Sequence, residues 1–330
     1  MELSLRDECH RQITYLRLSI TDRCNLRCFY CSPVQDLIKL PHADILRYEE
    51  LLHLSRLSLR LGFNKIRVTG GEPLIRLGVE NFLASLIQLP DSPEICLTTN
   101  GVLLAEKAAG LWQSGLRRLN ISLDSLQRQR FARITGSDLL SRVWEGIQTV
   151  QALGFSPIKI NCVVLRGLND DEILDFARLS LEYPWHIRFI EFMPIGQLSR
   201  WRQDYYVSAD DMRLQLLQLG QLEEIPSEAN AGPAQRFRYP GAPGEIGLIS
   251  PLSHHFCHLC NRLRLTADGR LRPCLLGDAE IDLKAPLRAG ADDDTLQELI
   301  RQAVRIKPVQ HHMDRDFLTP CRRSMTSIGG

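Results

Sequence analysis

A chain of 330 residues with 44% hydrophobic and 24% charged residues can bury a large core, and its net charge of +1 argues against a broad nucleic-acid-binding surface. No apolar stretch approaches the ~20 residues that a spanning helix needs, so no membrane is indicated. The 10 cysteines follow a polar start, Met1-Glu2-Leu3-Ser4, so a secreted disulfide framework is not expected and a cytoplasmic location is.

In chain order, short apolar runs at 15–20, 65–69, 94–98, 118–123, 158–164 and 186–192 predict strands buried on both faces. Between them, helical patterns lie at 49–61, 78–89, 104–114, 142–153 and 170–182, with Gly62, Gly115 and Gly154 as stops. A further helix is expected at Ser208, with Asp211 in its third position. Six β/α units in series imply a parallel sheet with right-handed crossovers, too few for an eight-unit ring. The fold class expected is α/β: an incomplete (β/α)6 TIM-like barrel, open on one side and closed by a C-terminal segment with short antiparallel strands. The polar, Pro/Gly-rich stretch 226–245 is the expected break, dividing a barrel domain, 1–225, from a C-terminal segment, 226–330.

Just after the first predicted strand, Cys24, Cys28 and Cys31 fall in Cys-Asn-Leu-Arg-Cys-Phe-Tyr-Cys, with Arg23 and Arg27 among them. Three thiolates at this spacing can hold three corners of a four-iron cluster and leave the fourth iron free for a ligand. A closed zinc site would need a fourth ligand from far along the chain. Spacing alone leaves zinc and unrelated core cysteines open. In parallel α/β folds chemistry gathers where strand C-termini meet loops. Thr69-Gly70-Gly71-Glu72-Pro73, Thr98-Thr99-Asn100-Gly101 and Ser122-Leu123-Asp124-Ser125 fall there. The double glycine permits close approach of a ligand to the backbone, and the Glu72 carboxylate can accept from an ammonium group.

Three more cysteines, Cys257, Cys260 and Cys274, repeat the pattern near the far end. The Asp268-Gly269 dipeptide between them predicts a hairpin that carries Cys274 back towards Cys260. Alternation along its first arm puts Arg262 and Arg264 on one face and Leu263 and Leu265 on the other, a pair of guanidiniums suited to a polyphosphate. A zinc ribbon completed by His254, His255 or His258 remains the competing reading. Single Arg and Lys residues are ordinarily solvated surface charges. Arg17 between Leu16 and Leu18, and Lys159 between Ile158 and Ile160, stand on otherwise apolar strands instead.

The first cysteine motif, with Tyr30 before its last cysteine and Gly-Gly-Glu-Pro on the second βα loop, resembles the radical S-adenosylmethionine (SAM) enzymes. With the second motif, Phe256-Cys257-His258-Leu259-Cys260-Asn261-Arg262-Leu263-Arg264-Leu265-Thr266, and the Gly329-Gly330 end, the chain is similar over nearly its whole length to the GTP 3′,8-cyclase family. That resemblance implies two 4Fe–4S clusters, one on Cys24, Cys28 and Cys31 that cleaves SAM, and an auxiliary one on Cys257, Cys260 and Cys274. It implies SAM contacts at Tyr30, Gly71, Ser122 and Met193, and GTP contacts at Arg17, Arg67, Thr98, Lys159, Arg262 and Arg264. Arg188, Gly329 and Gly330 match active-site positions, the glycine tail reaching into the site.

The reaction implied is a radical cyclisation by a lyase, the first step of molybdenum cofactor biosynthesis. Hydrogen leaves C3′ of GTP and C3′ attacks C8, giving (8S)-3′,8-cyclo-7,8-dihydroguanosine 5′-triphosphate. Guanine would sit on the auxiliary cluster's open iron. A flavodoxin- or ferredoxin-type donor would supply electrons, and cyclic pyranopterin monophosphate synthase would take the product; the oligomeric state is open, a homodimer included. Ser32 stands where relatives often carry Met. Cys9, Cys96, Cys162 and Cys321 match no motif, and Cys96 and Cys162 read as core residues within strands. Two alternatives stand beside this reading: a peptide-modifying radical SAM enzyme with an auxiliary cluster, and a non-enzymatic zinc protein that recruits nucleic acid.

Overall fold

Alternation decides the architecture. In β1 (Tyr15–Ser19), β2 (Lys65–Thr69), β3 (Glu94–Thr99), β4 (Arg118–Ser122), β5 (Ile158–Val164) and β6 (His186–Glu191), every second residue is buried and most of these are apolar, Thr99 and Glu191 being the polar ones at strand ends. Leu16, Leu18, Ile66, Val68, Leu119 and Ile121 belong to the main apolar core, which also takes in Leu51, Leu54, Leu83 and Leu111 of the crossover helices. The computed structural model describes residues 5–31, 39–90, 92–196, 201–226, 232–311 and 321–329. The six strands pair in parallel and in sequence. Their other face is polar: Arg17 registers with Arg67, Asn120 with Lys159 and Asn161 with Arg188. The strands are thus covered on both faces as expected, but only one face is apolar.

The remaining strands are β7 (Glu223–Ile225), β8 (Gln235–Arg238), β9 (Glu245–Ile249), β10 (Arg262–Leu265), β11 (Arg270–Arg272) and β12 (Ile281–Asp282). One 12-stranded sheet runs in the order β12-β11-β10-β1-β2-β3-β4-β5-β6-β9-β8-β7 among the described residues. Because β10 lies parallel beside β1 and β9 parallel beside β6, the six-unit barrel gains one parallel strand at each edge, both from the C-terminal segment. The outer strands then add antiparallel extensions. The order does not return on itself, so the barrel is incomplete, as the unit count predicts.

Helices Tyr48–Arg60, Val79–Ile87, Leu104–Gln113, Leu140–Ala152 and Ile173–Glu182 fill the crossovers. Gly62, Gly115 and Gly154 follow helices with φ of 95°, 93° and 89°, the left-handed stop that glycine tolerates. Ser208 caps helix Ala209–Leu216, its side chain accepting from the Asp211 N–H at 3.1 Å. Two elements depart from expectation. Helix Arg128–Thr135 was missed because it is arginine-rich, with Phe131 and Ile134 as its buried apolar residues. The expected break at 226–245 contains β8, where Phe237 and Tyr239 turn into the core while Arg236 and Arg238 pair with Glu245. Flanking Pro233 and Pro240 hid that short alternation; residues 227–231 lie outside the described chain.

The C-terminal segment is bound to the start of the chain by buried and half-buried cations. Arg11 donates to the carbonyls of Cys257 and Pro308 at 2.7 Å each, and Arg288 meets Glu50 at 2.8 Å. Among the described residues no helix is long and apolar enough to cross a membrane.

The double glycine serves the chain's own backbone. The Gly71 N–H donates to the Thr21 carbonyl at 2.6 Å, and a Cβ on Gly71 would lie 2.2 Å from the Arg23 carbonyl oxygen. Gly71→Ala therefore forces the cysteine loop and the β2 loop apart. It is expected to cost about 1–3 kcal/mol of stability, read as a lower midpoint in thermal unfolding.

Candidate active site

A cavity of about 300 Å³ opens inside the sheet, and all six cysteines of the two motifs line it. Tyr30, Gly71, Ser122 and Met193 line the same space, as do Arg17, Arg67, Thr98, Arg188, Arg262 and Arg264. Of the remaining predicted site residues, Lys159 is half-buried and its register places it next to Asn120, which lines the cavity, and His186, which does not. Gly329 touches the site through Arg264, whose Nη1 donates to its carbonyl at 2.7 Å. Gly330 and Ser32 lie outside the described residues.

The first cysteine loop is braced from below and above. Arg27 and Phe29 donate their backbone N–H groups to Thr135 and Ile134 at 2.8 Å each, capping the last carbonyls of the unexpected helix. Phe29 packs edge-on against Tyr205 at 5.3 Å. The Tyr30 hydroxyl donates to Asp124 at 2.6 Å, and Asp124 in turn accepts from the Val163 N–H at 2.9 Å. Burial lifts the Asp124 carboxyl to about 6, against the pull of those two donors. Cys24 Sγ accepts from the Leu26 N–H at 3.4 Å and from Asn100 Nδ2 at 3.7 Å.

Glu72 does not line the cavity. Its carboxylate accepts from Leu74 N–H at 2.9 Å, Thr99 Oγ1 at 2.8 Å and Asn100 N–H at 2.7 Å, tying the second βα loop to the third. The group read from sequence as an ammonium acceptor is in this structure a brace that sets Asn100 beside Cys24.

The arginines crowd one another. Burial brings the Arg17 guanidinium down to about 10, and burial with Arg67 nearby does the same to Arg188. Burial, then Arg17 and Arg262, drives Arg264 well below its ordinary value. Tyr15, on the same face of β1 as Arg17, hydrogen-bonds Arg67, and the two cations hold its phenol below the ordinary value despite burial. Among the described residues five guanidiniums line the cavity against a single carboxylate, Asp124, which Tyr30 and Val163 already engage. Such a space is short of negative charge. Asn161 Oδ1, buried at the cavity wall, has no hydrogen-bond partner among the described residues and can accept from a bound molecule.

Sequence reasoning placed Asn100 and Asp124 in loops where chemistry gathers without giving either a role, and did not single out Tyr15 or Asn161. Tyr15 was recoverable, standing two residues before Arg17 on one strand.

The two triads differ electrostatically. Burial, with the Asp124 and neighbouring thiol charges, pushes Cys28 well above its ordinary value, and burial lifts Cys31 to about 12. At the second triad burial opposes ionisation of Cys260, but Arg262 and Lys307 outweigh it and bring the thiol to about 6. Lys307 Nζ also donates to the carbonyls of Arg262 and Pro273 at 2.8 and 2.7 Å, fixing both arms of the hairpin. None of these cysteines is in a disulfide. Three cavity-facing sulfurs with N–H donors on Cys24 fit iron held by thiolates at the first triad. His254, one of the three histidines that could complete a zinc ribbon, is engaged by Asp210 at 2.9 Å.

Residues 18–180 match the model of the Radical SAM superfamily, and residues 185–313 match the one described as Molybdenum Cofactor Synthesis C. The GTP 3′,8-cyclase of Moorella thermoacetica is 49% identical over 99% of this chain and 100% of its own length. The chain belongs to the GTP 3′,8-cyclase family. The family's enzyme from Pelotomaculum thermopropionicum is 46% identical, again over 99% of this chain and 100% of the relative. Among solved structures, Streptococcus suis SuiB bound to its precursor peptide SuiA superposes with a TM-score of 0.63 at 12% identity, covering 92% of this chain and 67% of that one. The likeness to SuiB is one of fold, whereas identity near one half over the full length ties the chain to the cyclases. Like them it is a radical SAM enzyme, of the lyase class, with an iron–sulfur centre and SAM as cofactor.

Proposed function

We propose that the arginine-lined cavity holds GTP between the two cysteine triads while its ribose is joined to its base. The observation that carries this is the excess, among the described residues, of five guanidiniums over one carboxylate in a cavity that both triads share. The reaction converts GTP to (8S)-3′,8-cyclo-7,8-dihydroguanosine 5′-triphosphate, the first step of molybdenum cofactor biosynthesis. A triphosphate near −4 relieves the mutual repulsion of Arg17, Arg67, Arg262 and Arg264, with Thr98 and Arg188 beside them.

Cys24, Cys28 and Cys31 would hold one four-iron cluster and Cys257, Cys260 and Cys274 a second, with Tyr30, Gly71, Ser122 and Met193 around SAM. When bound, the first cluster and SAM supply the carbon radical that removes hydrogen from C3′. The chain's own part is placement. The Asp124 carboxylate fixes Tyr30 against β5, the arginines fix the triphosphate, and Leu26, Phe256, Leu275 and Leu276 give the cavity apolar walls that exclude water. In this reading the barrel part, 1–225, carries radical generation and the C-terminal part, 226–330, carries the auxiliary cluster and the glycine end. A flavodoxin- or ferredoxin-type donor, transfer of product to cyclic pyranopterin monophosphate synthase, and a cytoplasmic location complete it.

The test is anaerobic incubation of the reconstituted protein with reductant, SAM and GTP. A cyclised nucleotide in the mass spectrum, formed with 5′-deoxyadenosine, is expected; 5′-deoxyadenosine alone sinks the GTP assignment.

Lys159 adds a pH signature. Burial, then Arg188 and Arg67, lowers its ammonium to about 7, so it is charged below that pH and neutral above it. A bound triphosphate favours the charged form, so binding takes up a proton above pH ~7. GTP affinity is expected to be flat below that pH and to fall above it by up to roughly tenfold per unit. Lys159→Met should remove that slope in titration calorimetry.

A further inference from the structure

Residues 321–329 lie in a groove between the β10–β11 hairpin and the segment that follows β6. Cys321 forms a parallel bridge with Ile195, and Ser324 lies against Gly196. Ile195, Cys321 and Ile328 are buried together, with Met193, Leu275 and Met325 packed on them, and the last three also line the cavity. At its end the tail enters a tight slot. Gly329 has φ 76°, and a Cβ there would lie 2.8 Å from Ser19 Cβ and 3.0 Å from Thr69 Cγ2. Apolar packing of this kind tolerates small sliding movements, and the Cys321–Ile195 bridge and the Arg264 bond to the Gly329 carbonyl tie the tail only at its two ends.

Between those ends one side chain makes a fork to the hairpin turn, beside a hydrogen bond from the Arg322 N–H to Asp278 at 2.8 Å. Arg323 Nη1 and Nη2 donate to the two carboxylate oxygens of Asp268 at 3.0 Å each, and its Nε and Nη2 reach Glu280 at 2.7 and 2.9 Å. Asp268 is the turn residue of the hairpin that carries Arg262 and Arg264. Glu280 also accepts from Arg272, which is fully buried on β11 two residues before Cys274. The side chains of Arg323, Asp268 and Glu280 are 24%, 14% and 20% exposed. A two-pronged, partly buried pairing of this kind holds geometry far better than an exposed ion pair. Arg323 itself does not line the cavity.

We propose that Arg323 is a positioning residue that latches the C-terminal tail to the hairpin turn and so sets where Gly329 meets Arg264. The proposal rests on the reading of Arg264 and Gly329 as groups on the GTP side of the cavity. Losing the latch leaves the SAM side intact while the tail slides, so hydrogen abstraction and ring closure fall out of step.

The experiment uses the full-length reconstituted enzyme with SAM and GTP. Hydrogen exchange is followed on the peptide covering 321–329, together with SAM affinity and the ratio of 5′-deoxyadenosine to cyclised product. In Arg323→Ala, tail exchange is expected to rise and product formation to fall by roughly tenfold each, with SAM affinity within about twofold and 5′-deoxyadenosine in excess. Arg323→Lys, which keeps charge but not the fork, should lie between. Unchanged tail protection in Arg323→Ala overturns the latch. A freed tail with undiminished cyclisation instead overturns the underlying reading of Gly329. Should Arg323→Ala fail to fold, Asp268→Asn removes the paired carboxylate from the other side and is read by the same criteria.

Discussion

Replacing Cys31 by alanine is expected to abolish both SAM cleavage and GTP cyclisation, a loss on the order of 10⁶-fold or more because the radical route itself disappears. Cys274→Ala should behave differently. It leaves the first triad whole, so 5′-deoxyadenosine is still formed while cyclised product is lost. Iron analysis should give about eight irons per chain for the parent and about four for either variant. The contrast follows from the cavity: both triads line it, but Tyr30, Asn100 and Asp124 brace the first, and Arg262 and Lys307 the second. Equal loss of 5′-deoxyadenosine in both variants would contradict the division of labour.

The second large effect is expected from Arg262→Ala combined with Arg264→Ala. Each removes a buried guanidinium whose charge-assisted contact is worth about 1.5–3 kcal/mol, so GTP affinity should fall by roughly 10²- to 10⁴-fold. SAM affinity, read by equilibrium dialysis, should stay within about twofold. If both ligands are lost together, the substitutions have damaged the fold. Free protein should not be weakened as much as burial alone suggests. Arg264 sits among Arg17 and Arg262, and removing it relieves repulsion that Tyr15 and Cys274 offset only in part.

Much of this arrangement was legible in the residues. The six strands and five of the helices announce themselves by period, and the hairpin by Asp268-Gly269, because local propensity and burial agree there. Arg17 and Lys159 stood out as charges on apolar strands, which turned out to be the polar inner face of the sheet. What stayed hidden depended on partners far along the chain. Asp124 could not be assigned its role without Tyr30 crossing the barrel mouth to meet it. Helix Arg128–Thr135 has too few apolar residues to show a stripe, and its value lies in the two carbonyls it offers Arg27 and Phe29. Glu72 was misread because a carboxylate in a glycine loop suggests a ligand, while three donors from its own chain were invisible in the sequence.

The sheet order also bears on how the chain is made. Both strands that flank the six-unit barrel, β10 beside β1 and β9 beside β6, come from residues 245–265. During synthesis, therefore, the nascent barrel carries two bare parallel edges until the last quarter of the chain leaves the ribosome. Such edges are templates for pairing with a neighbour. A fragment ending at residue 225 should accumulate as aggregate rather than as a free-standing radical-generating domain, and the cell's chaperones would be needed most during that interval.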